Sequence, residues 1–327
     1  RTLSAFTFGF EGMMGDWIID PKISYSFAEE DDSDNADVTF RNDMKDTVGT
    51  IEWSNPQRPT ITPSDTSIYS PSELGFKELE ITENVSKDSE FAFSVNAERE
   101  TDLGTLKVGF KSKNREKDVD DYIIVYEADM TMADFDPQTL DWQFAGQTFS
   151  QQANPDMIYA LRNQLDSLSV DFSNDYARDF VTEEKVDALY IQNTYTWDKG
   201  VIVAGVRYED TSTESQAFDQ DGNQVFAGSD HSFFAPSINI KYFLDDRLQL
   251  RGSIWKGLSR PGFKKTAPKL DYDNDEGDIS GSAGNPDLKP YEAVNYDLSL
   301  EFYGDDITFA SVGLFRKNIE NANYQKI

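Results

Sequence analysis

Apolar and polar residues alternate one for one through much of this chain, and this period of two restricts its fold more than any other feature. The clearest case is residues 295–302, where four large apolar side chains alternate with Asn, Asp, Ser and Glu. Successive side chains of a β-strand point to opposite faces of a sheet. The pattern therefore predicts strands with one apolar and one polar face. It recurs at residues 6–10, 91–95, 106–110, 236–244 and 248–254.

Connections between the predicted strands alternate between two lengths. Short turns are predicted at residues 11–16, 101–104, 197–200, 244–247 and 303–306. Long polar or proline-rich segments lie between them, at residues 29–73, 116–180, 213–230 and 261–289. Short turns at one end and long loops at the other are typical of outer-membrane barrels. We predict an all-β fold, an antiparallel up-and-down transmembrane β-barrel, with about ten strands of a larger barrel in this chain.

Aromatic residues collect where the predicted strands meet the short turns. They flank four of the five turns: Trp17, Trp197, Tyr242, Phe243, Phe302 and Tyr303. Tryptophan and tyrosine concentrate at membrane–water interfaces, so these six residues are expected to form the interfacial girdle of the barrel. The alternative is the core of a soluble β-rich protein, because aromatic residues also favour strands in general.

Composition argues against several other classes of protein. The chain carries 60 acidic and 30 basic residues, a net charge of −30, which repels a nucleic-acid backbone. It has no Cys and one His, so thiolate, multi-histidine and His-based catalytic sites lack their residues. We expect no enzyme activity, no cofactor and no metal. His231 begins a predicted strand, where a structural role is more common than ligand contact. The longest apolar runs are far shorter than the ~20 residues of a spanning helix.

Three acidic segments invite a calcium or charged-loop interpretation. DYDNDEGD at residues 271–278 and DQDGNQ at residues 219–224 approach the carboxylate spacing of calcium loops. The glycine is misplaced in both, and Ser282 stands where the first would need a bidentate Glu. We interpret both as solvated acidic loops. EEDDSDNAD at residues 29–37 is interpreted as a mobile outer loop.

Three further segments carry motifs of a known family. EKVDALYIQNTYTWDKGVIVAGVRYE, at residues 184–209, is similar to paired barrel strands that end in Gly-x-Arg-Tyr. LQLRGSIWKGLSRPGF, at residues 248–263, is similar to a strand that runs into an Arg-Pro step. GNPDLKPYEAVNYDLSLEFY, at residues 284–303, is similar to a GNPxLKP loop end and its following strand. In this order and spacing they resemble the TonB-dependent receptor family, from about residue 183 onward.

The resemblance implies that residues 1–327 are part of one receptor β-barrel domain, since no stretch resembles the family's plug or TonB box. It implies a protein of the Gram-negative outer membrane, surrounded by lipid and lipopolysaccharide. Such a receptor binds a scarce nutrient and imports it through a plugged barrel, driven by the TonB-ExbB-ExbD complex acting on the plug. A passive porin or structural barrel, and a secreted soluble binding module, are the alternatives. Ten strands are too few for a ~22-stranded barrel, so we expect a longer protein.

Ligand recognition is expected in the long loops, because binding residues concentrate there. The candidates are Arg260, Phe263, Tyr272 and Trp142. For Arg260, beside Pro261, the alternative is a structural role at the barrel rim. Siderophores are the common cargo that the resemblance implies, whereas the acidity of the loops favours neutral or cationic ligands such as oligosaccharides or peptides.

Overall fold

The computed structural model describes residues 1–42, 48–57, 59–139, 143–144, 147–148, 151–164, 168–174, 178–219, 222–275, 278–305 and 307–323. Strands dominate these residues, as the period of two predicts. The strands are β1 (Thr2–Gly9), β2 (Gly12–Met14), β3 (Trp17–Arg41), β4 (Gly49–Glu52), β5 (Thr60–Pro63), β6 (Gly75–Thr101), β7 (Gly104–Glu127), β8 (Gln143–Phe144), β9 (Gln147–Thr148), β10 (Ser169–Asn174), β11 (Phe180–Trp197), β12 (Gly200–Phe218), β13 (Gln224–Phe243), β14 (Leu248–Ser259), β15 (Leu270–Asp275), β16 (Asp278–Ala283), β17 (Tyr291–Tyr303) and β18 (Phe309–Glu320). The helices are α1 (Pro155–Arg162) and α2 (Phe263–Thr266), with 3-10 turns at Thr66–Tyr69 and Met132–Phe135. Within the described ranges, no helix is long and apolar enough to cross a membrane.

Twelve of the strands form one sheet. Its main path follows the chain, in the order β1, β3, β6, β7, β11, β12, β13, β14, β17, β18, while β2 pairs with β3 and β10 with β7. The pairings with an assigned register are all antiparallel. The five predicted short turns lie where β1 leads through β2 into β3, and between β6 and β7, β11 and β12, β13 and β14, and β17 and β18. The predicted antiparallel meander is confirmed.

The chain divides into two compact units. Unit 1 contains Arg1–Glu30, Ser86–Asp120 and Tyr176–Ile327, and unit 2 contains Asp31–Val85 and Asp121–Asp175. The sheet of unit 1 has an apolar and a polar face, which alternate along each strand as the sequence predicts. On β17 the apolar face carries Tyr296, Leu298, Leu300 and Phe302, which are 36% to 48% exposed. The polar face carries Asn295, Asp297, Ser299 and Glu301. Apolar side chains this open to the surroundings are expected of a wall that faces lipid.

Hydrogen bonds and ion pairs join neighbouring strands on the polar face. Ser253 Oγ donates to Asp297 at 3.1 Å, and the Arg251 guanidinium donates to the Glu301 carboxylate at 2.9 Å. Residues directly paired across two strands share a face, so the register carries both faces from β17 through to β7. The polar face is therefore a continuous surface over these strands.

Several segments interpreted as loops from the sequence are strands in part or throughout. The acidic run at residues 29–37 lies inside β3 instead of forming a mobile loop. The long connection predicted at residues 213–230 is mostly strand, because β12 continues to Phe218 and β13 begins at Gln224. Strands pair through backbone N–H and C=O groups, which residues with polar side chains also carry. Strands can therefore continue through polar sequence beyond the apolar band.

Unit 2 has an apolar core of its own. Phe135 is 1% exposed, with its ring centroid 5.2 Å from that of Phe40 and 6.1 Å from that of Phe76. Helix α1 contributes the buried Leu161 to this core, and Asn154 caps its first turn by accepting a hydrogen bond from the Asp156 backbone N–H at 3.0 Å. The segment at residues 116–180, predicted as a long loop, thus contributes to a packed structure.

Candidate functional site

A charged network on the polar face of unit 1 lies far from the short turns. It consists of five residues from four successive elements: Glu184 of β11, Glu209 and Thr211 of β12, His231 of β13, and Arg260, which directly follows β14. We call this set the Arg260 cluster. Thr211 of β12 pairs with His231 of β13 on one side and with Val186 of β11 on the other. Glu209, two positions before Thr211, pairs with Ala188 of β11. The register therefore places the four strand residues of the cluster on one face, within a few residues of one another along the strands.

Arg260 holds the cluster together. Its Nη2 donates to Glu209 Oε2 at 2.6 Å and to Thr211 Oγ1 at 3.0 Å, while its Nε lies 3.6 Å from Glu184 Oε2. The Glu184 side chain is 8% exposed and Thr211 is 1% exposed, so a carboxylate and a hydroxyl are both withdrawn from water. Buried carboxylates are stable when paired with a cation, and Arg260 supplies that pairing. Arg260 Nε and His231 Nε2 are buried without a hydrogen-bond partner among the residues described.

A row of basic residues on β7 continues the charged surface. It follows the period of two on the polar face: Lys107, Lys111, Lys113, Arg115 and Lys117. We call this set the β7 cation row. Lys113 Nζ lies 3.2 Å from Glu90 and 3.6 Å from Glu184, and Arg115 Nε donates to Asp88 at 2.9 Å. Lys113 therefore links the row to the Arg260 cluster through the shared Glu184.

Phe263 adds an aromatic surface beside these charges. The Arg115 guanidinium carbon lies 5.0 Å from the centroid of the Phe263 ring, within range of a cation–π interaction. The ring also packs against the buried cluster of Phe180, Ala217 and Ala267. Two predicted ligand contacts, Arg260 and Phe263, thus lie in one region that combines ion pairs, a hydroxyl and an aromatic ring.

The other candidates lie elsewhere. Tyr272 is part of β15, and its side chain lies outside the described part of the chain, as does the whole of Trp142. Ligand roles for all four candidates stay predictions. Arg207 pairs with Glu209 at 2.6 Å and Arg251 with Glu301 at 2.9 Å, so both arginines neutralise carboxylates of the sheet.

Sequence reasoning missed several members of the site. Glu184, Glu209 and the β7 cation row received no assignment, although basic residues two positions apart are visible along β7. That spacing is the signal that was available, because it places the cations on one face of a strand. Their carboxylate partners come from other strands, which the spacing does not reveal.

The six predicted girdle aromatics divide between the two faces. Phe302 and Tyr242 belong to the apolar face of their strands, and Trp197 stacks on Tyr195 with 6.1 Å between the ring centroids. Phe243 and Tyr303 belong to the polar face instead. Lys241 Nζ lies 4.8 Å from the centroid of the Phe243 ring, and the Tyr303 hydroxyl donates to Glu301 at 2.8 Å. The girdle role stays a prediction for Trp17, Trp197, Tyr242 and Phe302.

The acidic motifs form no metal cluster where the structure describes them. No group of three or more His, Cys, Asp or Glu side chains in the described ranges is arranged to hold a metal ion. Residues 271–275 belong to β15 and Asp278 begins β16, so these residues are strand and not loop, while residues 276–277 lie outside the described ranges. At the second motif the Asn223 backbone N–H donates to Asp219 Oδ1 at 2.8 Å.

The family of the chain follows from a family model. The model described as "TonB dependent receptor-like, beta-barrel" matches residues 20–325. The chain belongs to this family. TonB-dependent receptor barrels are outer-membrane transporters of Gram-negative bacteria, not enzymes, and the sheet with one apolar and one polar face is the wall of such a barrel.

Individual relatives cover parts of this chain. The "Probable TonB-dependent siderophore receptor PirA" of Acinetobacter baumannii is 28% identical over 155 residues, which is 42% of this chain and 17% of that protein. The solved structure of the ferric-catecholate import receptor Fiu of E. coli K12, in its closed form, has a TM-score of 0.54 at 12% identity, over 98% of this chain and 41% of that one. The siderophore receptor PiuA of A. baumannii has a TM-score of 0.51 at 11% identity, over 96% of this chain and 39% of that one. These two likenesses concern the fold. The chain spans less than half the length of these receptors.

Proposed function

We propose that the receptor containing this chain binds a scarce nutrient, a ferric siderophore first of all, at the Arg260 cluster and the β7 cation row, and imports it. The observation that carries the proposal is the charged and aromatic network on the polar face, far from the short turns, in a chain of this receptor family. The relative named as a siderophore receptor supports the cargo class. Oligosaccharides and peptides are the second choice of cargo.

The network offers the contacts that a small polar ligand requires. Binding sites commonly combine an apolar surface with a few fixed polar groups. Here Phe263 supplies the ring, while Arg260 and the β7 cation row supply polar groups that the strands hold in place. Ion pairs fix Arg260 and Arg115 in place before a ligand arrives. Less side-chain conformational entropy is therefore lost when the ligand binds.

Transport itself needs parts beyond this chain. In the proposed mechanism the polar face lines the lumen, the apolar face contacts lipid and lipopolysaccharide, and a plug blocks the lumen until the TonB-ExbB-ExbD complex acts on it. Family membership supports this arrangement, because a plugged lumen is a feature of large outer-membrane transporters. The alternative of a passive porin differs in one measurable respect, the need for TonB.

Iron uptake tests the proposal. The full-length receptor is expressed in a Gram-negative host that lacks its own siderophore receptors, with and without TonB. Uptake of radioactive iron is then measured from a ferric tris-catecholate and from a ferric trihydroxamate. We expect uptake of at least one chelate above the empty-vector control, and only with TonB. Equal uptake without TonB would establish a passive porin, and absence of uptake of both chelates would exclude the siderophore class.

A matched pair of variants tests the location of the site. Phe263→Ala removes the ring beneath Arg115, whereas Phe226→Ala removes a ring of β13 that is 68% exposed. At equal surface expression, we expect the first to weaken chelate uptake and the second to leave it unchanged. Equal uptake by both variants would place the site elsewhere.

A further inference from the structure

We infer that Lys111 is a ligand-binding residue, whose ammonium group binds an anionic oxygen, a carboxylate or a catecholate, of the imported chelate. This inference rests on the proposed function and adds the charge of the cargo. Lys111 is the second residue of the β7 cation row, on the polar face of unit 1. It differs from its neighbours in the row by its partners and by the space around it.

Other members of the row have partners on the neighbouring strands. Lys107 lies 3.4 Å from Glu98, Lys113 is shared by Glu90 and Glu184, Arg115 pairs with Asp88, and Lys117 donates to Ser86. Lys111 forms neither an ion pair nor a side-chain hydrogen bond with any residue that the structure describes, and it is exposed. It is thus the member of the row whose charge is available to a ligand.

The small side chain of Ala188 beside Lys111 leaves room for such a group. The direct partner of Lys111 across β11 is Ala188, which is 2% exposed, and the polar-face residue two positions before Lys111 is Gly109. Ala188 is too short to reach over the lysine, while the ring of Tyr190 covers Gly109. An ammonium group with free space around it can turn toward a ligand oxygen, since lysine acts as a flexible point charge.

The position of Lys111 joins it to the site already described. Lys111, Ala188 and Glu209 follow one another across β7, β11 and β12 in a single row of the register. Neighbouring strands lie ~4.8 Å apart, so the backbones of Lys111 and Glu209 are separated by roughly 10 Å. The Glu209 carboxylate is bound by both Arg207 and Arg260, which offsets the repulsion it would exert on an anion.

The net charge of −30 does not oppose this assignment. Charges separated by more than ~8 Å are largely screened at physiological salt, so nearby groups decide which ligand charge is favoured. A lumen wall with low-dielectric surroundings also strengthens the effect of a local cation. The expectation of a neutral or cationic ligand, derived from composition, therefore applies to the outer loops and not to this surface.

Binding measurements on the purified full-length receptor in detergent test the inference. The probes are a ferric tris-catecholate, which is anionic, and a cationic ferric trihydroxamate, each titrated by quenching of tryptophan fluorescence. Lys111→Met removes the charge and keeps the length of the side chain, and Lys111→Arg keeps the charge. Lys87→Met is the matched control, because Lys87 is an exposed lysine on the opposite face of the neighbouring strand β6.

We expect Lys111→Met to weaken binding of the tris-catecholate about ten- to hundredfold, as for loss of one charged hydrogen bond. Lys111→Arg and Lys87→Met should stay near wild type, and the trihydroxamate should bind Lys111→Met no more weakly than wild type. Equal losses for both probes would assign Lys111 to the wall or the plug and overturn the inference. So would an unchanged affinity, or failure of the wild-type receptor to bind the anionic probe.

These outcomes are separable from failure of the proposed function. Absence of TonB-dependent iron uptake in cells that carry the wild-type receptor would refute the proposed function. Normal TonB-dependent uptake together with charge-independent effects at Lys111 would refute the inference alone.

Discussion

Replacing Arg260 by alanine is the change that tests the architecture of the site most stringently. In the structure this guanidinium contacts Glu209, Thr211 and Glu184. Its removal leaves Glu184, whose side chain is 8% exposed, with Lys113 at 3.6 Å as its remaining ion-pair partner among the described residues. Glu209 keeps Arg207 at 2.6 Å. The variant therefore leaves one carboxylate well paired and the other poorly paired.

The magnitude follows from this difference. Removing one partner of a fully buried ion pair costs about 3 to 5 kcal/mol, because the remaining charge stays buried without compensation. The Arg260 side chain is 23% exposed and both carboxylates keep a second cation, so water and these cations recover part of the loss. We expect the free energy of unfolding to fall by about 2 to 3 kcal/mol, at or just below the lower end of the range for broken buried pairs.

The assay is urea unfolding of the receptor in detergent, with Glu184→Gln introduced to remove the carboxylate that Arg260 leaves behind. The double variant Arg260→Ala with Glu184→Gln should be more stable than Arg260→Ala alone by about 1 kcal/mol, because an amide is cheaper to bury than an unpaired charge. A loss below about 0.5 kcal/mol for Arg260→Ala, the usual range for surface substitutions, would refute the buried ion-pair account. So would a double variant less stable than the single one.

One further substitution in each unit, with a matched control, tests how that unit is packed. Gly109→Val should destabilise unit 1 by about 1 to 3 kcal/mol, because a Cβ there overlaps the ring of Tyr190, whereas Gly12→Val, with open space around its Cβ, should stay near wild type in the same urea assay. Phe135→Ala should destabilise unit 2 by about 3 to 5 kcal/mol, since the ring is 1% exposed. Proteolysis of intact cells should then cleave unit 2 faster in this variant than in Tyr159→Ala, whose ring is 60% exposed, and equal cleavage rates would contradict the assigned core.

The sheet and its faces could be predicted from sequence because lipid and lumen make opposite demands on alternate residues. At residues 295–302 the alternation is strict, and it predicted both the strand and the exposed apolar face of β17. Hairpin turns could also be predicted from the sequence, since each joins two strands that are adjacent in the sequence. The acidic run in β3 was misjudged because charge runs are usually loops, whereas a strand outside the apolar band can be polar on both faces.

The charged cluster could not be predicted because its members meet across strands that are distant in the sequence. Lys113 and Glu184 become neighbours through the register of β7 and β11, which the long segment between these strands conceals. The same holds for the core of unit 2, where Phe40, Phe76 and Phe135 come from three separate segments. Arg260 and Phe263 were chosen for their side-chain chemistry, and the structure adds the partners that fix their positions.

The central claim is that the polar face lines an aqueous lumen and the apolar face meets lipid. Asp297 and Leu298 test it directly, because adjacent residues of β17 lie on opposite faces. Each is replaced by cysteine in the full-length receptor, which is then labelled in outer membranes with a charged thiol reagent and with a lipid-soluble one. We predict that the charged reagent labels Asp297→Cys and the lipid-soluble reagent labels Leu298→Cys. The reverse pattern, or labelling of both positions by the charged reagent alone, would contradict it.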